Sequence, residues 1–199
     1  MSEIKVDKIS PASGANVVTL GDSGDTFTVP SGATFTNSGT ATGFGGGKVL
    51  QVLQTVKTDT ATIASTTFAD ITGLSQAITP SATSSKILVS AQLTLCGQGG
   101  VGGHIQFVRG STAIGVGDAA GSRTRCTWGS RGISDQDEAR NVFIQYLDSP
   151  STTSATTYKI QWRARNASYT QVLGRTYDDT DNADHGRYMT QITVMEIGV

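Results

Sequence analysis

Six of the seven consecutive side chains from Asp178 to Asp184 carry oxygen, in the order Asp178-Asp179-Thr180-Asp181-Asn182-Ala183-Asp184. Dense hard oxygens in a loop suit a cation such as Ca²⁺. Asp179, Asp181 and Asp184 are the expected ligands, and Ca²⁺ is the one cofactor the sequence brings into question. The EF-hand order fails, because Ala183 occupies a ligand position and no glycine follows it. A solvated acidic loop is the competing reading. A second chemistry is stacking on sugar rings. Trp128 stands among Arg123, Arg125 and Arg131, and Tyr177 adjoins Asp178. Aromatic faces stack on sugars while arginine and aspartate hydrogen-bond the hydroxyls. Trp128, Arg125, Arg131, Tyr177 and Asp178 are therefore the candidate surface-binding residues. Trp162 falls between Ile160 and Ala164 on a strand pattern and reads as core.

Other chemistries find less support. The two histidines, His104 and His185, have no serine or cysteine partner fixed by spacing. A pairing of Cys126 with either one is open, and ordinary surface residues are the plainer reading. Asp135, Asp137 and Glu138 lie beside Arg131 and Arg140, which suits salt bridges better than a glycosidase carboxylate pair. Gly97-Gln98-Gly99-Gly100-Val101-Gly102-Gly103 lacks the Lys-Ser/Thr ending of a phosphate loop, and no helix pattern follows it. No catalytic residue is assigned, and the chain reads as a non-enzyme. Asn166-Ala167-Ser168 fits the glycosylation pattern but no secretory signal accompanies it. Cys96 and Cys126 are expected to stay thiols, as in a reducing compartment.

These side chains must be held by strands. In 199 residues, Ser and Thr make up about a quarter and glycine contributes 24, while charged residues reach only 16%. That is a turn-rich all-β profile. A formal net charge of −1 gives no basic field for nucleic acid or anionic lipid. The segment Met1–Ile9 has no long apolar run, so neither a signal peptide nor membrane insertion is expected. Lys86–Leu95 is the clearest strand, with Ile87, Val89, Ala91, Leu93 and Leu95 at period 2. Further strands are expected over 49–56, 66–71, 76–79, 104–109, 112–116, 141–147, 157–164 and 188–197. Gly110-Ser111 marks a type II′ hairpin. Residues 117–139 and 174–186 read as two long polar loops. Apolar side chains stand on both faces of Val142–Leu147, so the face turned away from the core is expected to meet another subunit.

The first 44 residues are different. Short apolar runs, 17–20, 26–29 and 34–36, alternate with turn clusters, and Leu20, Phe27 and Phe35 recur at steps of 7 and 8 residues. One chain cannot offset a backbone entropy of roughly 1–2 kcal/mol per residue with so little apolar surface. Several chains around one axis can. The expected organisation is a multi-chain β-stalk of β-helix-like repeats over 1–44 and a head over 45–199, joined at Gly43-Phe44-Gly45-Gly46-Gly47.

Several stretches resemble virion fibre proteins of tailed phages of the cyanophage and marine-phage type. They include Ile4–Ile9, Thr19–Thr26, Val29–Thr34, Thr40–Phe44, Lys48–Val52, Ile78–Ser81, Ser84–Val89, Val108–Thr112 and Met195–Gly198. The eight or nine strands, two long loops and lack of a helix pattern suggest a two-sheet sandwich of jelly-roll type for the head. The resemblance implies a homotrimer located in the virion, with a stalk docked on other virion proteins. It further implies attachment to a host-surface glycan or protein, with a capsid-decoration or head-fibre protein of mainly stabilising role as the alternative. The loops that hold the candidate residues lie outside the shared pattern.

Overall fold

The computed structural model describes residues 22–34, 36–39, 48–97, 102–132 and 138–198. The chain divides into two units, Met1–Phe44 and Gly45–Val199.

In the first unit, two turns repeat at an eight-residue interval. Asp25 N donates to Asp22 O and Ala33 N to Pro30 O, each at 3.0 Å. Gly24 and Gly32 hold the third position of each turn at φ +99° and +86°. A positive φ there defines a type II turn and favours glycine. Between the turns, Thr26–Val29 is solvent-exposed, with Phe27 66% exposed. This corrects the strand expected there. The segment forms no strand and has no ladder partner among the described residues. The strand expected over Val17–Leu20, Phe35 of the third, the segment 1–10 and most of the joint lie outside the described residues.

The second unit is antiparallel β throughout its described residues, which contain no helix. Its strands are β1 (Lys48–Lys57), β2 (Ala61–Ile63), β3 (Ala69–Ile78), β4 (Lys86–Gly97), β5 (Gly103–Arg109), β6 (Thr112–Ile114), β7 (Trp128–Gly129), β8 (Arg140–Asp148), β9 (Thr156–Ala164), β10 (Gln171–Leu173) and β11 (Thr190–Gly198). One sheet runs β1-β11-β4-β10-β2, with β8 also paired to β4. The other runs β3-β9-β5-β6, with β7 also paired to β5. Alternation decides which face is buried. Ile87, Val89, Ala91, Leu93 and Leu95 of β4 meet Ile105, Phe107, Tyr158, Ile160 and Trp162 of the opposite sheet in one continuous core.

Two expectations change. The strands foreseen over 66–71 and 76–79 are the single strand β3. Gly73, at φ +80°, lies in the register shift between Asp70 and Ser75, so it bulges the strand instead of ending it. The loop foreseen over 117–139 contains β7, and the short strands β2 and β10 were not foreseen. The hairpin at Gly110-Ser111 forms as expected, with Gly110 at φ +60° and β5 paired to β6. Cys96 and Cys126 form no disulfide, and Cys96 Sγ donates to Glu138 O at 3.3 Å.

Glu196 lies buried on the core side of β11. Its carboxylate accepts from Gln51 Nε2 at 2.6 Å, Ser81 N at 2.7 Å and Ser81 Oγ at 2.6 Å. Burial alone would raise its pKa, but hydrogen bonds from Gln51, Ser81 and Ser85 outweigh burial and hold it at about 2. An unfolded glutamate titrates near 4.3. The stabilisation is therefore complete above about pH 4.3 and is lost as pH falls towards 2. Urea melts between pH 2 and 7 should show wild type and Glu196→Gln far apart at neutral pH and converging at the acid end. Parallel curves across that range would refute the assignment.

Candidate functional site

The second sheet exposes a polar outer face. Alternation places Gln106 of β5 and Lys159, Gln161 and Arg163 of β9 outward. There Gln106 Nε2 donates to Gln161 Oε1 at 2.9 Å, and Asp70 accepts from both Lys159 and Gln161 at 2.7 Å. At one end of this face, ladder register sets Gly129 of β7, His104 of β5 and Arg163 of β9 side by side. The segment leading into β7 is strapped across the sheet. Thr127 N donates to Ile105 O at 2.8 Å and Ser130 N to Gly103 O at 2.9 Å. Arg165 Nη1 donates to Arg131 O at 2.8 Å. Only glycine fits beneath the strap, since a Cβ on Gly102 would stand 1.7 Å from Ser130 O and one on Gly103 2.2 Å from Gln171 Oε1.

The result is a pocket of about 420 Å³ lined by His104, Thr124, Cys126, Ser130, Arg131 and Arg165. Arg163 flanks it, donating from Nη1 to Thr124 Oγ1 at 3.1 Å, with its guanidinium 6.0 Å above the Phe68 ring. His104 and Cys126 both adjoin Gly129, which answers the question of a Cys–His pairing. The two are neighbours, but their electrostatics run against a thiolate–imidazolium pair. Burial, then Arg163 and Arg165, lower the His104 pKa, and burial raises that of the Cys126 thiol. An activated nucleophile needs the opposite shifts.

The proposed binding residues separate into two groups. Arg131 lines this pocket. Trp128 is half-buried and packs its ring against the core, so its expected role as a free stacking face is corrected. Arg125 turns to Gly117, donating from Nε to its carbonyl at 2.7 Å. Tyr177 and Asp178 belong to the other long loop, where their backbone carbonyls are occupied. Tyr177 O accepts from Arg175 Nη1. Asp178 O accepts from His185 Nδ1 at 2.7 Å and Thr176 Oγ1 at 3.0 Å.

That loop also redirects the acidic cluster. It forms a pocket of about 230 Å³ lined by Thr176, Asp179, Asp181, Asn182, His185 and Arg187, among others. Asp179 is ion-paired to Arg187 and lies 3.6 Å from Arg175 Nε. Two guanidiniums neutralise this carboxylate and repel a cation approaching it. Of the expected Ca²⁺ ligands, Asp179 and Asp181 line this pocket and Asp184 does not. Among the described residues no three His, Cys, Asp or Glu side chains are grouped to hold a metal. Glu138 pairs with Arg140 at 3.2 Å, in line with the salt-bridge reading, while Asp135 and Asp137 lie outside the described residues.

No family model matches this chain, and no curated protein matches it.

The outer face of the first sheet is the chemical opposite of the second. Register aligns Val52, Met195, Leu88 and Leu147 in one apolar row across β1, β11, β4 and β8. The next row is Gln54, Thr193, Ser90 and Gln145, and the third is Val56, Gln191, Gln92 and Phe143. Val52, Leu147 and Phe143 are 53%, 52% and 64% exposed. None of these twelve residues is charged.

Proposed function

We propose that this protein is a structural fibre protein of a tailed-phage virion. It is a homotrimer whose N-terminal β-stalk docks on other virion proteins and whose head meets the host cell surface. In this reading it is not an enzyme, binds no nucleic acid and does not insert into membrane. The observation that carries the reading is the eight-residue turn repeat, ordered by hydrogen bonds yet leaving Phe27 and Val29 in solvent. Only partner chains can cover such side chains. The three uncharged rows on the outer face of β1, β11, β4 and β8 support the same association in the head.

The head is read as a jelly roll. In support, the first and last long strands, β1 and β11, are neighbours, and the strand orders β1-β11-β4-β8 and β3-β9-β5-β6 face one another. Those orders interleave two four-strand sets in the way two Greek keys do.

Light scattering on the full chain should give three times the single-chain mass at micromolar concentration. Added in excess, the protein should slow adsorption of its phage to host cells. A stable monomer overturns the trimer. Unchanged adsorption, with capsids weakened when the protein is missing, replaces host attachment by the capsid-decoration role.

A further inference from the structure

We propose that the pocket lined by His104, Thr124, Ser130, Arg131 and Arg165 binds an oxyanion, a carboxylate, sulfate or phosphate group carried on a small polar ligand. Three observations converge on it. Arg131 and Arg165 line the pocket and Arg163 flanks it, yet none of the ion pairs among the described residues involves any of the three. The acidic groups of those ion pairs are matched to other cations. Guanidiniums without an ion-pair partner among the described residues, gathered in a concave site, favour an anion, and their planar forks suit two-oxygen groups.

The second observation is an orphan. His104 Nδ1 is buried without a hydrogen-bond partner, the only such side-chain atom among the described residues. Buried polar atoms are nearly always paired, so one left unpaired on a ring that lines a pocket calls for a partner the chain does not supply. Anion binding beside the ring favours its charged form, which carries a proton on each nitrogen. The third observation is rigidity. Backbone bonds from Thr127, Ser130 and Arg165 strap the walls to the sheet, so the site exists before the ligand arrives. Thr124 and Ser130 add hydroxyls for a polar ring.

The chain's two histidines make the test direct. Full-length protein is titrated with sulfate, acetate, glucuronate and glucose at constant ionic strength set with chloride. The imidazole signals are followed by NMR. Sulfate and glucuronate should move the His104 signals saturably and raise its pKa, because a bound anion favours the imidazolium. The His185 signals should stay in place, and glucose should do nothing. Glucuronate binding more tightly than acetate identifies a sugar acid as the ligand class, and equal affinities identify the oxyanion alone. Arg131→Gln removes an exposed side chain and keeps the backbone acceptor. It should weaken sulfate by roughly tenfold, the effect of losing one charge-assisted hydrogen bond, with an unchanged melting temperature. Arg165→Gln should do the same. The proposal falls if no anion gives a saturable shift, if both histidines drift together, or if Arg131→Gln binds like wild type. The trimer reading would survive that result, since its surface is the outer face of the other sheet.

Discussion

Asp148→Ala should destabilise the head by about 3–5 kcal/mol, the cost of stripping one partner from a buried ion pair. Asp148 ends β8 on the first sheet and is 6% exposed at its side chain. Both of its oxygens accept from Arg109 Nη1 of β5, at 3.0 and 2.9 Å, and Oδ2 also accepts from the Tyr158 hydroxyl of β9 at 2.7 Å. One carboxylate thus joins the edge of one sheet to two strands of the other. Burial and the Asp148 carboxylate push the Tyr158 phenol well above its usual range, so the hydroxyl remains a donor. Removing the carboxylate leaves that hydroxyl without its acceptor and the partly buried guanidinium with only the Ser149 carbonyl, at 3.4 Å. For a chain of this size each kcal/mol lowers the melting temperature by roughly 2–4 °C, so a fall of about 10 °C is expected in calorimetry. Tyr158→Phe removes one donor and should cost about 1 kcal/mol. The double variant should be less destabilised than the sum, because the two share one network. Additive costs would show that Asp148 and Tyr158 act separately.

The limits of sequence reading follow from strand length and pairing distance. β4 was legible because five inward residues display period 2 without interruption. Trp162 was placed in the core on the same logic, and the Gly110-Ser111 hairpin announced itself through turn chemistry. β7 has two residues and β10 three, too few to display any period. With β7 unread, Trp128 passed for an exposed loop aromatic, whereas ladder pairing to Ile105 turns its ring onto the core. The pocket was hidden for a related reason. His104 and Arg163 lie on separate strands, and only the β5–β9 register brings them together. The one local signal was the Gly102-Gly103 pair, where the backbone passes close to Ser130 and to Arg163 and Gln171. In the acidic loop, composition drew attention to oxygens and away from the arginines at 175 and 187. Two cations bracketing Asp179 outweigh a count of carboxylates.

Introducing aspartate at both ends of the apolar row, Val52→Asp with Leu147→Asp, should turn the proposed trimer into monomers. Both side chains are about half exposed in the single chain, so the fold itself should change by no more than about 0.5 kcal/mol. Burial against a neighbouring copy is another matter. An unpaired carboxylate removed from water costs several kcal/mol, and the nearest cation on this face, Lys86 in the row beyond Met195 and Leu88, already donates to Ser149. With two new charges in every copy, the association constant should fall by more than a thousandfold, since about 4 kcal/mol corresponds to that factor. Light scattering then reads a single-chain mass while the melting transition of the head persists. Thr157→Asp on the outer face of the second sheet is the control. It adds the same charge at an exposed strand position and should leave the trimer intact. The contrast between faces makes this decisive. One sheet presents Lys159, Asp70, His104 and Arg163 to its surroundings, and the other presents twelve uncharged residues in three rows. A solvent-facing sheet gains nothing from the second pattern. If the double variant remains trimeric, the apolar face is not the contact, and the exposed Phe27 and Val29 of the stalk must carry the association alone. Weak single contacts by the head would then still act in threes, because avidity depends on how many copies are joined and how far apart they stand.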